Sequence, residues 1–387
     1  MEEQELFDDQ ITQEQDPTEL DVPEQKLRVA ITHGDTNGIG YELIIKTFAE
    51  PEILDLCTPI IYGSPKVATY YKKILGIDVT FNIINNAEDA KEGRVNLLPV
   101  FDEEVKIEMG QPSKDAGEAA LKALDRAMTD YRSGLYDVLV TAPINKNNIQ
   151  SNLFKFCGHT EYIENCVGEG NEALMILLNG NLKVALVTTH LPLKDVPAAI
   201  TKENIMEKVK IFHNSLRRDF RVSKPLIAVL SLNPHCGDNG VIGTEEKEII
   251  RPALDELEAS GIQVFGPYPA DGFFGMGSYK HFDGVLAMYH DQGLAPFKAL
   301  AVEDGVNFTA GLPIVRTSPD HGTAYDIVGK GVANISSFRQ AIYTAIDVFR
   351  NRKNYDIPYE NPLPKLFHEK KEDSEKQRFT RPKDQFK

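Results

Sequence analysis

Residues 182–190 read LKVALVTTH, a short apolar run closed by a histidine. It is too continuous for a strand wet on one face, so it predicts a strand covered on both sides, as in a parallel sheet under helices. The same design returns in PLIAVLSLNPH (225–235) and DGVLAMYH (283–290), and apolar runs without the histidine occur at LRVAIT (27–32), PIIYG (59–63) and YDVLVTAP (136–143). Helical patterns fill the gaps. SKDAGEAALKALDRAMTDYRSG (113–134) predicts a helix capped by Ser113 and stopped by Gly134. TEEKEIIRPALDELEASG (244–261) predicts another from Thr244 to Gly261, with Pro252 either kinking it or delaying its regular part. Strands alternating with helices imply an α/β protein built on a mostly parallel sheet.

Composition narrows the class. The 387 residues contain 42% hydrophobic and 26% charged residues, and no apolar run approaches the roughly 18 residues of a membrane span. The first residues, MEEQELFDDQ, lack the basic-then-apolar order of a secretory signal, so a cytoplasmic location is expected. Of the net charge of −16, ten charges come from residues 1–25, which hold ten Asp or Glu and no Lys or Arg. Such a balance disfavours nucleic acid as a partner, because that affinity rests on clustered cations. Residues 1–25 read as a disordered acidic tail and residues 356–387 as a charged C-terminal tail. The four cysteines form no CxxC pair and read as free thiols, with Cys236 a buried spectator.

Chemistry concentrates at the strand ends. In open α/β sheets ligands gather outside the carboxyl ends of strands, where His190, His235 and His290 could converge. Three neutral imidazoles with an open fourth position describe a catalytic divalent-metal site. Asp271 in PADGFF and Asp291 beside His290 are candidates to orient an imidazole. His159 and Thr160 in CGHTEYIE, with Lys298, Asn307 and Arg316, would supply donors around an anion. Arg316 follows GLPIV, so a partly buried guanidinium needing a phosphate or carboxylate is expected. THGDTNGIG (32–40) places Gly34, Gly38 and Gly40 between a strand and a helix, either as a phosphate cradle or as a tight turn.

THGDTNGIG, TAPINK, GHTEY, TTHLPL, LNPHCGDNG, PADGFF, AMYHDQG and GVNFTAGLPIVRTSPDHGTA, in this order, resemble the 4-hydroxythreonine-4-phosphate dehydrogenase family of vitamin B6 biosynthesis. That family is similar in fold to isocitrate and isopropylmalate dehydrogenases, two-domain α/β enzymes without the usual Rossmann fingerprint. The resemblance implies metal ligands at His190, His235 and His290, holding one divalent ion (Zn²⁺, Mg²⁺ or Co²⁺). It implies substrate contacts at His159, Thr160, Lys298, Asn307 and Arg316. Cofactor contacts fall at His321, Gly322 and Asp326, with Asp326 favouring NAD over NADP. Asp271 and a metal-bound water are the candidate proton acceptors. A homodimer with a shared active site is also implied. Its cofactor-side domain would comprise 26–150 with 300–355, and its metal, substrate and dimerisation domain 151–299. The reaction implied is oxidation of 4-phosphooxy-L-threonine by NAD, followed by loss of CO₂. A relative acting on 4-phospho-D-erythronate or D-threonate stands beside it. More distant readings are a metal-dependent hydrolase and a non-catalytic phosphate-ligand sensor.

Overall fold

Val29, Ala30 and Ile31 are fully buried, as are Ile60 and Ile61, Val138 to Val140, and Ile227 to Leu230. Strands this thoroughly covered need helices on both faces, and the sequence supplies them. The computed structural model describes residues 26–101, 105–180, 182–301 and 303–360. The expected acidic tail, 1–25, lies outside them, as do residues 361–387. Residues 356–360, expected to open the charged C-terminal tail, continue the helix Ser336–Glu360.

The strands are β1 (Leu27–Thr32), β2 (Cys57–Gly63), β3 (Phe81–Ile83), β4 (Val95–Pro99), β5 (Val138–Thr141) and β6 (Leu174–Asn179). They continue with β7 (Leu182–Leu186), β8 (Ile227–Leu230), β9 (Val264–Tyr268), β10 (Gly284–Ala287), β11 (Val306–Ala310) and β12 (Val315–Pro319). Among the described residues they form one sheet in the order β3-β4-β2-β1-β5-β12-β11-β6-β7-β10-β8-β9. Most pairings are parallel, as expected. The antiparallel ones, β12 with β11, β11 with β6 and β6 with β7, sit together in the middle. Strand direction therefore reverses across the sheet: β1 to β5 and β12 run one way, and β7 to β10 the other.

The sequence-based helices form with small adjustments. The Ser113 hydroxyl accepts from the Ala116 N–H at 3.2 Å and opens the helix Lys114–Arg132. In the second, a π-helical turn, Glu246–Ile250, precedes the regular helix Arg251–Ala259, so Pro252 sits in the first turn, where its missing N–H costs nothing. The glycine segment after β1 is a tight turn into the helix Gly40–Phe48. Gly34 has φ +73°, and a Cβ there would lie 2.3 Å from the Pro143 carbonyl oxygen.

Candidate active site

Strand register lays the floor of the site. β12 lies between β5 and β11, so Arg316 is opposite Leu139 on one side and Thr309 on the other, and Thr309 faces Met175. Two residues on, Ser318 pairs with Asn307, which pairs with Leu177. Cross-strand partners share a face of the sheet. Arg316, Ser318, Asn307, Met175 and Leu177 accordingly border one cavity of about 280 Å³.

The walls come from segments that follow strands. Lys146 lies beyond β5, and His159, Thr160 and Glu161 open the helix His159–Val167. His190 lies beyond β7. His290, Leu294 and Lys298 are spaced at i, i+4 and i+8 along the helix His290–Leu300, which presents them on one side. Asp320, His321 and Gly322 follow β12.

Arg316 is 2% exposed, and its guanidinium donates to hydroxyls: Thr141 Oγ1 at 2.6 and 3.2 Å and Thr309 Oγ1 at 3.2 Å. Burial pushes its pKa down to about 10, with the charge of Glu161 opposing the shift. Among the described residues its hydrogen-bond partners are hydroxyls alone, and a buried cation so held has unused capacity for an anion. Among the described residues, the buried Oδ1 of Asn307 and Nε2 of His321 also lack partners. Lys298 Nζ donates to the Asp320 carbonyl at 2.7 Å across the mouth. Burial, with the nearby charges of Arg316 and Lys146, holds the half-buried His159 well below the usual histidine range, so its imidazole is neutral.

Two histidines meet at this cavity. The rings of His190 and His290 have centroids 6.2 Å apart. His190 Nδ1 faces Glu161 Oε1 at 3.1 Å, and His290 Nδ1 faces Asp291 Oδ1 at 2.7 Å. A carboxylate only accepts, so each fixes a proton on Nδ1 and leaves Nε2 as the ring's acceptor. Burial opposes ionisation of Glu161, but its hydrogen bond from His190 and the charge of Lys146 hold its pKa below the usual carboxylate value. Lys146 Nζ lies 3.0 Å from His190 Nε2 and donates to it. This donor set fits a divalent metal, since zinc–nitrogen bonds are about 2.0–2.1 Å and imidazoles oriented through their far nitrogen are the usual ligands.

The cavity brings together His159, Thr160, His190, His290, Lys298, Asn307, Arg316, His321 and Gly322 of the residues expected from sequence. It does not bring His235, Asp271 or Asp326. β8 ends at Leu230, and the chain then turns through left-handed backbone at His235, Cys236, Asp238 and Asn239 (φ 53, 53, 43 and 56°). That turn leaves His235 exposed rather than beside its neighbours. Among the described residues of one chain, no three His, Cys, Asp or Glu side chains group closely enough to hold a metal. Asp271 is exposed on the helix Ala270–Gly275, and Asp326 is exposed too. Cys236 is half-buried rather than buried, with its Sγ 3.4 Å from the Pro267 carbonyl oxygen.

Sequence reasoning missed Thr141, Lys146 and Glu161. Lys146 and Glu161 stand in TAPINK and GHTEY, one just past a strand and the other in a first helical turn, which is where site residues collect.

Comparison with known proteins identifies the family. The family model described as pyridoxal phosphate biosynthetic protein PdxA matches residues 55–345. A 4-hydroxythreonine-4-phosphate dehydrogenase of Bacteroides thetaiotaomicron is 60% identical over 353 residues, covering 91% of this chain and 97% of that protein. One from a Sulfurihydrogenibium species is 43% identical, covering 84% of this chain and 100% of its own length. The crystal structure of 4-hydroxythreonine-4-phosphate dehydrogenase from Klebsiella pneumoniae superposes with a TM-score of 0.71 at 33% identity, covering 84% of this chain and 98% of that one. On that breadth of match, the chain belongs to the family of the pyridoxal phosphate biosynthetic protein PdxA.

Proposed function

We propose that this protein is a 4-hydroxythreonine-4-phosphate dehydrogenase that uses NAD and one divalent metal per site. The observation that carries the reading is Arg316, a buried guanidinium whose partners are hydroxyls, at the floor of a cavity bordered by two metal-competent histidines. A phosphorylated hydroxy acid suits it: phosphate for the cations and the hydroxyl of C3 for the histidine side.

The reaction transfers a hydride from C3 of 4-phosphooxy-L-threonine to NAD and passes the proton of the C3 hydroxyl to a base, for which Asp271 is a candidate. The resulting β-keto acid then loses CO₂ to give 3-amino-2-oxopropyl phosphate. Arg316, Asn307, Lys298 and Thr160 bind the phosphate and fix the orientation of C3. Neutral His159 contributes a hydrogen bond there without adding charge. His190 and His290 of one subunit, with His235 from a partner subunit, would hold the metal. When bound, that ion supplies a positive charge that makes the alcohol more acidic and polarises the ketone. Glu161 and Asp291 keep both imidazoles in the tautomer this task needs. His321 and Gly322 border the cavity where NAD would approach, with Asp326 at its ribose.

The shared site has support in the surface. Leu193, Val241 and Met276, at 70, 81 and 85% exposed, follow closely after His190, His235 and Asp271. Large apolar side chains left this exposed near the three residues suit cover by a second copy, which would also bring His235 and Asp271 inward. No helix among the described residues is long and apolar enough to cross a membrane. A cytoplasmic location goes with this reading.

The test is an NADH-forming assay over a panel of phosphorylated hydroxy acids, with and without Zn²⁺, Mg²⁺ or Co²⁺. Metal-dependent NADH from 4-phosphooxy-L-threonine is expected. Preference for 4-phospho-D-erythronate or D-threonate would reassign the substrate. Phosphate release without NADH would indicate a hydrolase, and binding without turnover a sensor.

A further inference from the structure

His190 is gripped from both sides by groups of opposite charge. Glu161 accepts from its Nδ1, and Lys146 donates to its Nε2, the nitrogen a metal would use. The three come from separate places: the segment after β5, the first turn of the helix His159–Val167, and the segment after β7. Gly158 lies between the two outer members, where a Cβ would come to 3.5 Å from both Glu161 Oε2 and Lys146 Cε. A metal on Nε2 and an ammonium on Nε2 exclude one another, because the lone pair serves one of them. The ammonium must leave when a cation arrives, and its charge opposes that arrival.

We propose that Glu161 and Lys146 are positioning residues that set metal affinity in opposite directions: Glu161 raises it by fixing the His190 tautomer, and Lys146 lowers it by occupying Nε2. Lys146 is then a place-holder that keeps the imidazole oriented while the metal is absent. Displaced by metal, its ammonium remains at the cavity wall, available to the second anionic group of the substrate, the carboxylate. Metal binding and substrate binding thereby become coupled, each favouring the other through the release of Lys146. The inference rests on the metal reading above.

The experiment titrates full-length protein with Co²⁺ against a chromophoric chelator and records the visible absorption of bound Co²⁺, with no turnover required. Circular dichroism checks folding. Glu161→Gln is expected to weaken Co²⁺ binding by about 10–100-fold, the usual effect of removing such a support. Lys146→Met is expected to tighten it, by about tenfold, while raising KM for the substrate. Opposite signs at two contacts of one imidazole separate this from general damage to the site, which weakens binding in both variants. If Glu161→Gln does not fold, the sign at Lys146→Met decides. Binding lost in His190→Ala but unchanged in Glu161→Gln, or unchanged or weakened in Lys146→Met, overturns this inference and leaves the metal reading intact. Wild-type binding that survives His190→Ala overturns both.

Discussion

The Arg316 guanidinium and the Thr141 hydroxyl meet at 2.6 Å inside the sheet, although 175 residues separate them in the chain. Charge buried against a hydroxyl is poorly compensated, so this contact is more useful to a ligand than to the fold.

Arg316→Met should therefore separate binding from stability. Losing a buried charged hydrogen-bond partner typically costs about 2–5 kcal/mol of affinity, so KM for the phosphorylated substrate is expected to rise by roughly 30-fold or more. A similar-sized apolar side chain in place of an unpaired buried cation should leave Tm unchanged or higher. Steady-state kinetics and a thermal melt check the two halves, and an unchanged KM would argue against the phosphate assignment.

Subunit mixing tests the shared site. His190→Ala and His235→Ala homodimers should each lack metal and turnover. After denaturation and co-refolding of equal amounts, half the dimers are mixed and each mixed dimer has one intact site, so about a quarter of wild-type activity should return. No recovery, with mixed dimers shown by differently tagged subunits, would place all three histidines in one chain's site.

Acid sensitivity has a source outside the cavity. His33 is fully buried and stacked on Tyr41 with ring centroids 5.2 Å apart, and burial pushes its pKa down to about 4. The unfolded chain takes up a proton near pH 6.5 and the folded chain does not, so stability contributed above that pH is lost as pH falls from 6.5 towards 4. The loss should be about 3 kcal/mol. His33→Phe, which keeps an aromatic ring against Tyr41, should flatten this part of the profile in denaturant melts. A wild-type slope retained by the variant would move the effect elsewhere.

Gly34→Ala should be severe for a one-carbon change. The φ of +73° disfavours a side chain, and the added carbon would lie 2.3 Å from a backbone oxygen that cannot swing away. A loss of about 3 kcal/mol is expected by urea denaturation, and a change within experimental error would show that the 142–143 backbone yields easily.

The sequence made some parts of this molecule legible and hid others for physical reasons. His190 and His290 stood out because each ends an apolar run, and the fold does deliver both to one cavity. β11 and β12 were not recognised, because Asn307, Thr309, Arg316, Thr317 and Ser318 break the apolar pattern. They are strands whose polar side chains serve a binding floor, so local hydrophobicity misleads exactly where function resides. β6 was also overlooked, although Asn179-Gly180 between two apolar runs is a hairpin cue. The position of His235 within the chain is not legible in the sequence, because the left-handed run after β8 cannot be read from the residues that make it. The pairing of Lys146 with His190 joins residues 44 apart, and only tertiary structure reveals it.

The insertion of β12 between β5 and β11 has a further consequence for biosynthesis. A nascent chain that has not yet delivered Arg316 leaves the β5 edge open and has no floor to its cavity, however well its earlier portions have collapsed. Anion recognition therefore switches on only once synthesis has passed Arg316, and fragments that stop short of it lack the floor that would hold the ligand.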